Sequence, residues 1–444
     1  MKKKHPSAIP IAILLVVVAA VVCAGVFLTN RYSESSSKMD GNTYFKVSGD
    51  EAAIVLNGQI SEEKAFFLDN EAYLPYSFAA QEIYPGFYYD ADVSLLCYTT
   101  EDNDIKWQLD GADGAFVTGP GGEAYIKLSL ISEYFSFDYD IFADPDRIVI
   151  NTMENIRAAR VIKDSPVRFR AGIKSDIIKD LEAGDEVIWL SDIDETWSDV
   201  LTYDGYRGYI KSADIALLEE DVSISRGISY GNDFNHMLLP GKVRMAWQYA
   251  DNDENNALID DFLAEEKGLN VICPTWISLA DDDGNILSRT DVSYVEKAHS
   301  AGLYVWVMVD DIDGEGNASA VIGRHAARER LVSALVSEIA SVGADGINID
   351  FEALEKSDIP AFMQFLKELT KDIKREMIKE FPDVVFEEED SLAKCILKVY
   401  TETGETFVII MDEYDVLVRE RVDISESIRY LMQGSSRNMT ATRS

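Results

Sequence analysis

Between Val243 and Lys379 short apolar runs alternate with longer amphipathic stretches, and this alternation constrains the fold more than any other feature of the chain. The runs Val243–Trp247, Leu269–Cys273, Leu303–Val309 and Gly346–Ile349 are four to seven residues long, the length of buried strands. Asn256–Glu266, Ser293–Ala301, Arg324–Val342 and Ile359–Lys379 carry apolar residues at helical spacing. Repeated βα units predict a parallel sheet flanked by helices, open or closed. A closed (β/α)8 TIM-barrel type is expected, because the polar residues that carry chemistry fall at a strand end.

That strand end is Asp345-Gly346-Ile347-Asn348-Ile349-Asp350-Phe351-Glu352. Side chains alternate along a strand, so Asn348, Asp350 and Glu352 share one face while Ile347, Ile349 and Phe351 take the other. Burying neighbouring carboxylates without partners is costly, and the proton affinity of one of them is expected to rise. A carboxylic acid of that kind is what glycosidic bond cleavage requires.

The eight residues match the D-x-x-D-x-D-x-E motif of glycoside hydrolase family 18 at three of its four acidic positions, with Asn348 at the fourth. The N-I-D-F-E ending resembles the branch that includes spore-cortex and peptidoglycan N-acetylglucosaminidases. The segments Asn270-Val271-Ile272-Cys273-Pro274-Thr275-Trp276, Tyr294-Val295-Glu296-Lys297-Ala298-His299 and Gly302-Leu303-Tyr304-Val305-Trp306 extend the resemblance to about 140 residues within 236–380. It implies a retaining, substrate-assisted mechanism on β-1,4-linked N-acetylglucosamine in peptidoglycan or a chitin-like polymer, without a cofactor or metal. By the same resemblance Glu352 protonates the leaving oxygen and Asp350 orients the substrate's acetamido group. Asp345 and Asn348 hold Asp350, and Trp276, Trp306 and Trp247 offer faces for sugar rings. For each tryptophan, core packing is an equal reading, and a structural polar network is the alternative for the strand end. A rival function is a wall-binding protein that holds glycan without cleaving it.

Ninety-two residues follow Glu352, and a barrel of about 250 residues needs four more βα units. The barrel is therefore expected to be an N-terminal half, with apolar strand edges open to pairing. Residues 387–432 instead resemble a fragment of a bacterial AAA-ATPase-like protein. Phe407-Val408-Ile409-Ile410-Met411-Asp412-Glu413 has the strand-then-Asp-Glu pattern that holds Mg²⁺ in P-loop ATPases. No G-x-x-x-x-G-K-[ST] occurs, so an autonomous ATPase is not expected. Residues 433–444 are expected to be a disordered tail.

Ahead of the barrel the chain reads as multidomain. Lys2, Lys3 and Lys4 precede an apolar run from Ile9 to Leu28, about the 20 residues that cross a bilayer. A single-pass anchor over 1–31 with the remainder outside the cell is expected, and a cleaved signal peptide is the competing reading. A Ser-rich linker occupies 32–41. Residues 42–155 carry short β-rich runs such as Ala52–Leu56 and Arg147–Ile150, with Tyr73-Leu74-Pro75 and Ala124–Leu128, and resemble the small α+β module related to the N-terminal domain of copper amine oxidases, which binds no copper in bacterial wall proteins. Residues 160–218, with Pro166-Val167-Arg168, Trp197 and Asp204-Gly205-Tyr206-Arg207-Gly208-Tyr209-Ile210, resemble a bacterial SH3-like barrel. A formal charge of −38 repels phosphate backbones and excludes nucleic-acid binding. The four scattered cysteines and four histidines point to no disulfide framework and no metal centre.

Overall fold

A computed structural model describes residues 31–222 and 242–411, apart from 101, 136, 154–155, 266, 353, 388–389, 391 and 404–407, together with 23 and 25. The expected anchor lies outside the described residues but for these few, as do Asp412-Glu413 and the tail beyond. No helix among the described residues is long and apolar enough to cross a membrane. The chain divides into two compact units, one formed by 1–75 and 128–228 and the other by 76–127 and 229–444. The segment read as one module over 42–155 is thus shared between the two units. Elements are numbered along the whole chain.

The first unit holds two sheets. One has the order β3 (Glu71–Pro75), β2 (Gln59–Leu68), β1 (Glu51–Leu56), β10 (Arg147–Asn151), β9 (Asp138–Phe142), with β1 and β10 parallel. Helix α1 (Gly41–Phe45) precedes it, capped by the Asp40 carboxylate on the Thr43 N–H, and α2 (Leu128–Tyr134) packs on β3. The other sheet is antiparallel and contains β11 (Ile156–Val161), β12 (Ser165–Arg168), β13 (Ile177–Leu181), β14 (Glu186–Asp192), β15 (Trp197–Leu201), β16 (Arg207–Lys211) and β17 (Ile215–Val222). Its order is β13-β12-β16-β15-β14-β11-β17. The alternation in β16 buries Gly208 and Ile210 and leaves Arg207, Tyr209 and Lys211 half-exposed.

The two sheets share one apolar cluster, in which Phe45, Val55 and Val149 meet Ala159, Val167, Val200 and Ile210. Arg147 fastens them further, donating to the Asp204 carbonyl at 2.7 Å and its carboxylate at 3.2 Å while lying over the rings of Phe45 and Tyr206. At Gly208 neighbouring strands leave no room for a side chain. A Cβ there would lie 2.5 Å from the Arg168 carbonyl oxygen and 2.7 Å from Ile178 Cδ1. Because backbone cannot yield as a side-chain tip can, Gly208→Ala is expected to cost at least ~1–3 kcal/mol. Calorimetry of the full chain should show the transition of this unit moving down and the other unchanged.

In the second unit β18 (Met245–Gln248), β19 (Val271–Pro274), β22 (Tyr304–Asp310), β23 (Gly346–Asp350) and β24 (Val408–Met411) pair in parallel in that order. The hairpin β20 (Ile277–Leu279) and β21 (Ile286–Ser288) joins the end of β22. Strand order follows chain order with no switch point, the arrangement of a barrel wall rather than of a doubly wound sheet. The expected strands of 243–379 form, as do three of the four expected helices; the one expected over Asn256–Glu266 is instead two short helices broken at Leu258. Helices α3 (Asp253–Ala257), α4 (Ile259–Glu265), α5 (Val292–Ser300), α6 (Ala318–Ile322), α7 (His325–Val342) and α8 (Ile359–Glu380) connect the strands. Asp291 caps α5, Gly343 ends α7 with a φ of 69°, and Pro360 opens α8.

The sequence reading ended the parallel sheet at β23; the structure continues it. Helix α9 (Leu392–Thr403) buries Leu392, Cys395, Ile396 and Val399 in the same core as α7 and α8, and β24 pairs with β23 from Gly346 to Ile349. The described part of the ATPase-like segment is therefore the next helix and strand of this unit, and the edge expected at β23 is covered. Residues 76–127 bring β4 (Phe87–Asp90), β5 (Leu95–Thr99), β6 (Asp104–Gln108) and a hairpin of β7 (Phe116–Thr118) and β8 (Ala124–Lys127). The β4–β6 sheet sits on α8.

Candidate active site

Ile347 and Ile349 of β23 lie in the core shared with the helices, at 0% and 1% exposure. Alternation therefore sets Gly346, Asn348 and Asp350 on the opposite face. Register places Trp306, Met308 and Asp310 of β22 directly beside them, in that order. Trp306 and Met308 cluster with Val271 and Cys273 of β19, so this second face is apolar at its base and acidic at its carboxyl end. Glycine at 346 leaves no side chain beside the indole of Trp306.

Asn348 is fully buried, and neither its Oδ1 nor its Nδ2 has a hydrogen-bond partner among the described residues. The indole N–H of Trp306, on the same face, is in the same state. Leaving such a group unpaired costs about 1–3 kcal/mol. Asp350 is half-buried and Glu352, two residues beyond it, is exposed. The backbone N–H of Glu352 donates to Asp311 Oδ1 at 2.9 Å, which ties the loop after β23 to the loop after β22. Buried Asp310 shapes that second loop, accepting from the N–H groups of Ile312 and Asp313 at 3.0 and 3.2 Å.

At the carboxyl end of β18, Trp247 is 52% exposed and Tyr249 59% exposed. The charge of Asp313, then that of Asp251, raises the proton affinity of the Tyr249 hydroxyl. Tyr249, Asp310, Asp311 and Asp313 were not read as site residues. The period-2 pair of aromatics at the end of β18 was the available signal for Tyr249. The acid run Val309-Asp310-Asp311 was the signal for the rest.

Two expected members stand elsewhere. Asp345 precedes the first residue of β23, at the far end of the strand from Asp350, and its Oδ2 accepts from the Val305 N–H at 2.7 Å and pairs with His299 Nε2 at 2.8 Å. It does not hold Asp350. Burial raises its proton affinity, and the Val305 N–H and His299 offset part of that rise. Trp276 is fully buried, donates from its indole to Asn256 Oδ1 at 2.7 Å and stands edge-on to Tyr294; it is a core residue with no face for a sugar. Trp306, at 2% exposure, likewise offers no open face. Of the three tryptophans Trp247 alone presents its ring. Among the described residues no group of three or more His, Cys, Asp or Glu side chains is arranged to hold a metal.

The Bacterial SH3 domain family matches residues 164–216. No curated protein matches the chain. Its neighbours among solved structures are chitinases and spore cortex-lytic glycosidases. A chitinase from Bacteroides thetaiotaomicron is 20% identical with a TM-score of 0.25, over 29% of this chain and 42% of that one. The spore cortex-lytic enzyme SleL of Bacillus megaterium QM B1551 is 16% identical with a TM-score of 0.26, over 31% and 34%. The putative sporulation-specific glycosylase ydhD of Bacillus subtilis is 20% identical with a TM-score of 0.22, over 25% and 37%. The chain spans less than half the length of each.

Proposed function

We propose that the carboxyl end of β23 is the catalytic centre of a glycoside hydrolase acting on β-1,4-linked N-acetylglucosamine in peptidoglycan or a chitin-like polymer. The observation that carries this reading is the strand end itself. Asn348 and Asp350 share the sheet face away from the helices, and Glu352 follows in the open, with its backbone fixed by Asp311.

In this reading Glu352 gives its proton to the glycosidic oxygen as that bond breaks. The acetamido oxygen of the sugar attacks the anomeric carbon, and the resulting oxazolinium carries a positive charge that the Asp350 carboxylate stabilises. Water then opens the ring with Glu352 as base, so the configuration is retained. The unpaired amide of Asn348 gains a partner when an amide or hydroxyl of substrate reaches it. Trp247 supplies a ring on which a sugar can stack. Lys2–Lys4 and the apolar run Ile9–Leu28 favour a place outside the cell, where such glycans lie.

The test is release of chromophore from p-nitrophenyl N,N′-diacetylchitobioside by the chain. Trp247→Ala is expected to raise KM roughly tenfold, from about 1–1.5 kcal/mol of lost stacking, with kcat little changed. A fall in kcat at constant KM would remove the stacking role. The match to the Bacterial SH3 domain family favours a second reading, a wall-binding protein without turnover. Binding of insoluble glycan without chromophore release would select it.

A further inference from the structure

The chain on either side of exposed Glu352 is anchored. Phe351 lies in the core, at 5% exposure, with Phe362 and Phe365 of α8. Further on, the Glu355 N–H donates to Asp358 Oδ2 at 2.9 Å, and Asp358 Oδ1 accepts from the Ser319 hydroxyl at 2.8 Å. Between these anchors the Glu352 N–H donates to Asp311 Oδ1 at 2.9 Å. We infer that Asp311 is a positioning residue for the catalytic acid: its carboxylate, carried on the loop after β22, fixes the backbone from which the Glu352 side chain springs and so the point at which the proton is offered. The inference rests on Glu352 being the acid of the reaction proposed above.

A group that positions another must itself be held, and the loop 311–317 is fastened at both ends. Asp310, at 2% exposure, accepts from the N–H groups of Ile312 and Asp313 and closes the first turn of the loop on itself. At the other end the Gly316 N–H donates to the Leu279 carbonyl at 3.1 Å, and the Asn317 N–H donates to Asp282 Oδ1 at 2.9 Å. Position 314 has room for glycine only, because a Cβ there would collide with the Leu279 carbonyl oxygen. Of the run Asp310-Asp311, the first acid shapes the loop and the second reaches across to the strand that bears the acid. A hydrogen bond from an N–H to a carboxylate is stronger than one between neutral groups. Its geometry matters more than its strength, since a misplacement of about 1 Å at a reacting group can cost about 10²-fold in rate. Asp311→Ala hands the Glu352 N–H to water while Phe351 and Asp358 stay anchored, so the fold survives and the aim of the acid is lost.

The experiment compares the full chain with Asp311→Ala, Asp311→Asn, Glu352→Gln and the double variant Asp311→Ala/Glu352→Gln in release of chromophore from p-nitrophenyl N,N′-diacetylchitobioside. Asp311→Ala should lower kcat roughly 10–10²-fold with KM within about twofold. Asp311→Asn keeps an oxygen that can accept the same N–H and should restore kcat to within about threefold of the parent. In the Glu352→Gln background Asp311→Ala should change the residual rate by less than about twofold, because a residue that acts through the acid has nothing left to act on. An active parent and an inactive Glu352→Gln beside an Asp311→Ala variant as fast as the parent would overturn the inference and leave the glycosidase reading standing. So would Asp311→Asn as slow as Asp311→Ala, or a fall in the double variant as large as that in the parent. A parent without turnover, or Glu352→Gln as active as the parent, would refute the glycosidase reading and this inference with it.

Discussion

Glu352→Gln is expected to lower kcat for chromophore release from p-nitrophenyl N,N′-diacetylchitobioside by roughly 10²–10⁴-fold, the usual contribution of a positioned general acid. Binding of the same glycan should stay within about twofold, because the amide keeps the size and most of the hydrogen-bonding capacity of the acid and loses only the proton to give. The side chain is exposed, and the contact that orders it is made by the backbone N–H to Asp311. The substitution therefore leaves the scaffold alone, and a loss of turnover reports on chemistry. An active parent with an inactive, still-binding variant establishes a hydrolase working through Glu352. Equal activity in both would refute the assignment of the acid. Binding in both without turnover in either would select the wall-binding reading.

The strand face that carries this prediction was legible in the sequence because period-2 alternation is a local signal. Ile347 and Ile349 declare the buried face, and Asn348 and Asp350 then have to lie on the other. The family resemblance, not the alternation, placed Asp345 beside Asp350. The hydrogen-bonded strand starts at Gly346, so Asp345 belongs to the entry of the strand, where it meets Val305 and His299 instead of Asp350. For Trp276 core packing and sugar contact are equal readings of the sequence, and tertiary neighbours decide between them. The residue follows Pro274 just outside β19, and its neighbours Asn256 and Tyr294 come from helices whose placement no local pattern declares. The strand at Val408–Met411 was legible as a strand. Its place beside β23 was not, since a Walker-B-like run and a barrel strand are both short apolar runs ended by acids, and only the neighbour tells them apart.

What composition and periodicity conceal most completely is the docking of β4–β6 on α7 and α8, because its residues are more than two hundred positions apart. Arg328 of α7 is fully buried, donating from Nε to Glu368 at 2.8 Å, from Nη2 to Asp90 at 2.7 Å and from Nη1 to the Ile322 carbonyl at 2.8 Å. Asp90, equally buried, also takes His325 Nδ1 at 2.8 Å, and Gln364 reaches Thr99 at 2.7 Å. Arg328→Met would leave two buried carboxylates without their cation, which costs about 3–5 kcal/mol. For a unit of this size that lowers its unfolding midpoint by roughly 6–20 °C, the largest stability effect expected of any single substitution here. Burial works against the guanidinium charge, but the hydrogen bonds and charges of Asp90 and Glu368 outweigh it and raise the proton affinity further. A raised folded-state value keeps its stabilisation below the unfolded value, which for arginine lies near 12.5 or above. The arginine itself stays charged from pH 6 to pH 9, but the stranded carboxylates of Arg328→Met take up protons more readily at the lower pH, so the loss should be smaller at pH 6 than at pH 9. Adding Asp90→Asn and Glu368→Gln to that variant removes the stranded charges and should recover most of the loss, as replacing whole buried ion pairs often does. Hydrogen exchange would locate the effect, with protection in 87–108 falling first in the single variant. A shift below about 1 kcal/mol, or no recovery in the triple variant, would mean that apolar packing against α8 rather than this charge cluster holds the β4–β6 sheet in place.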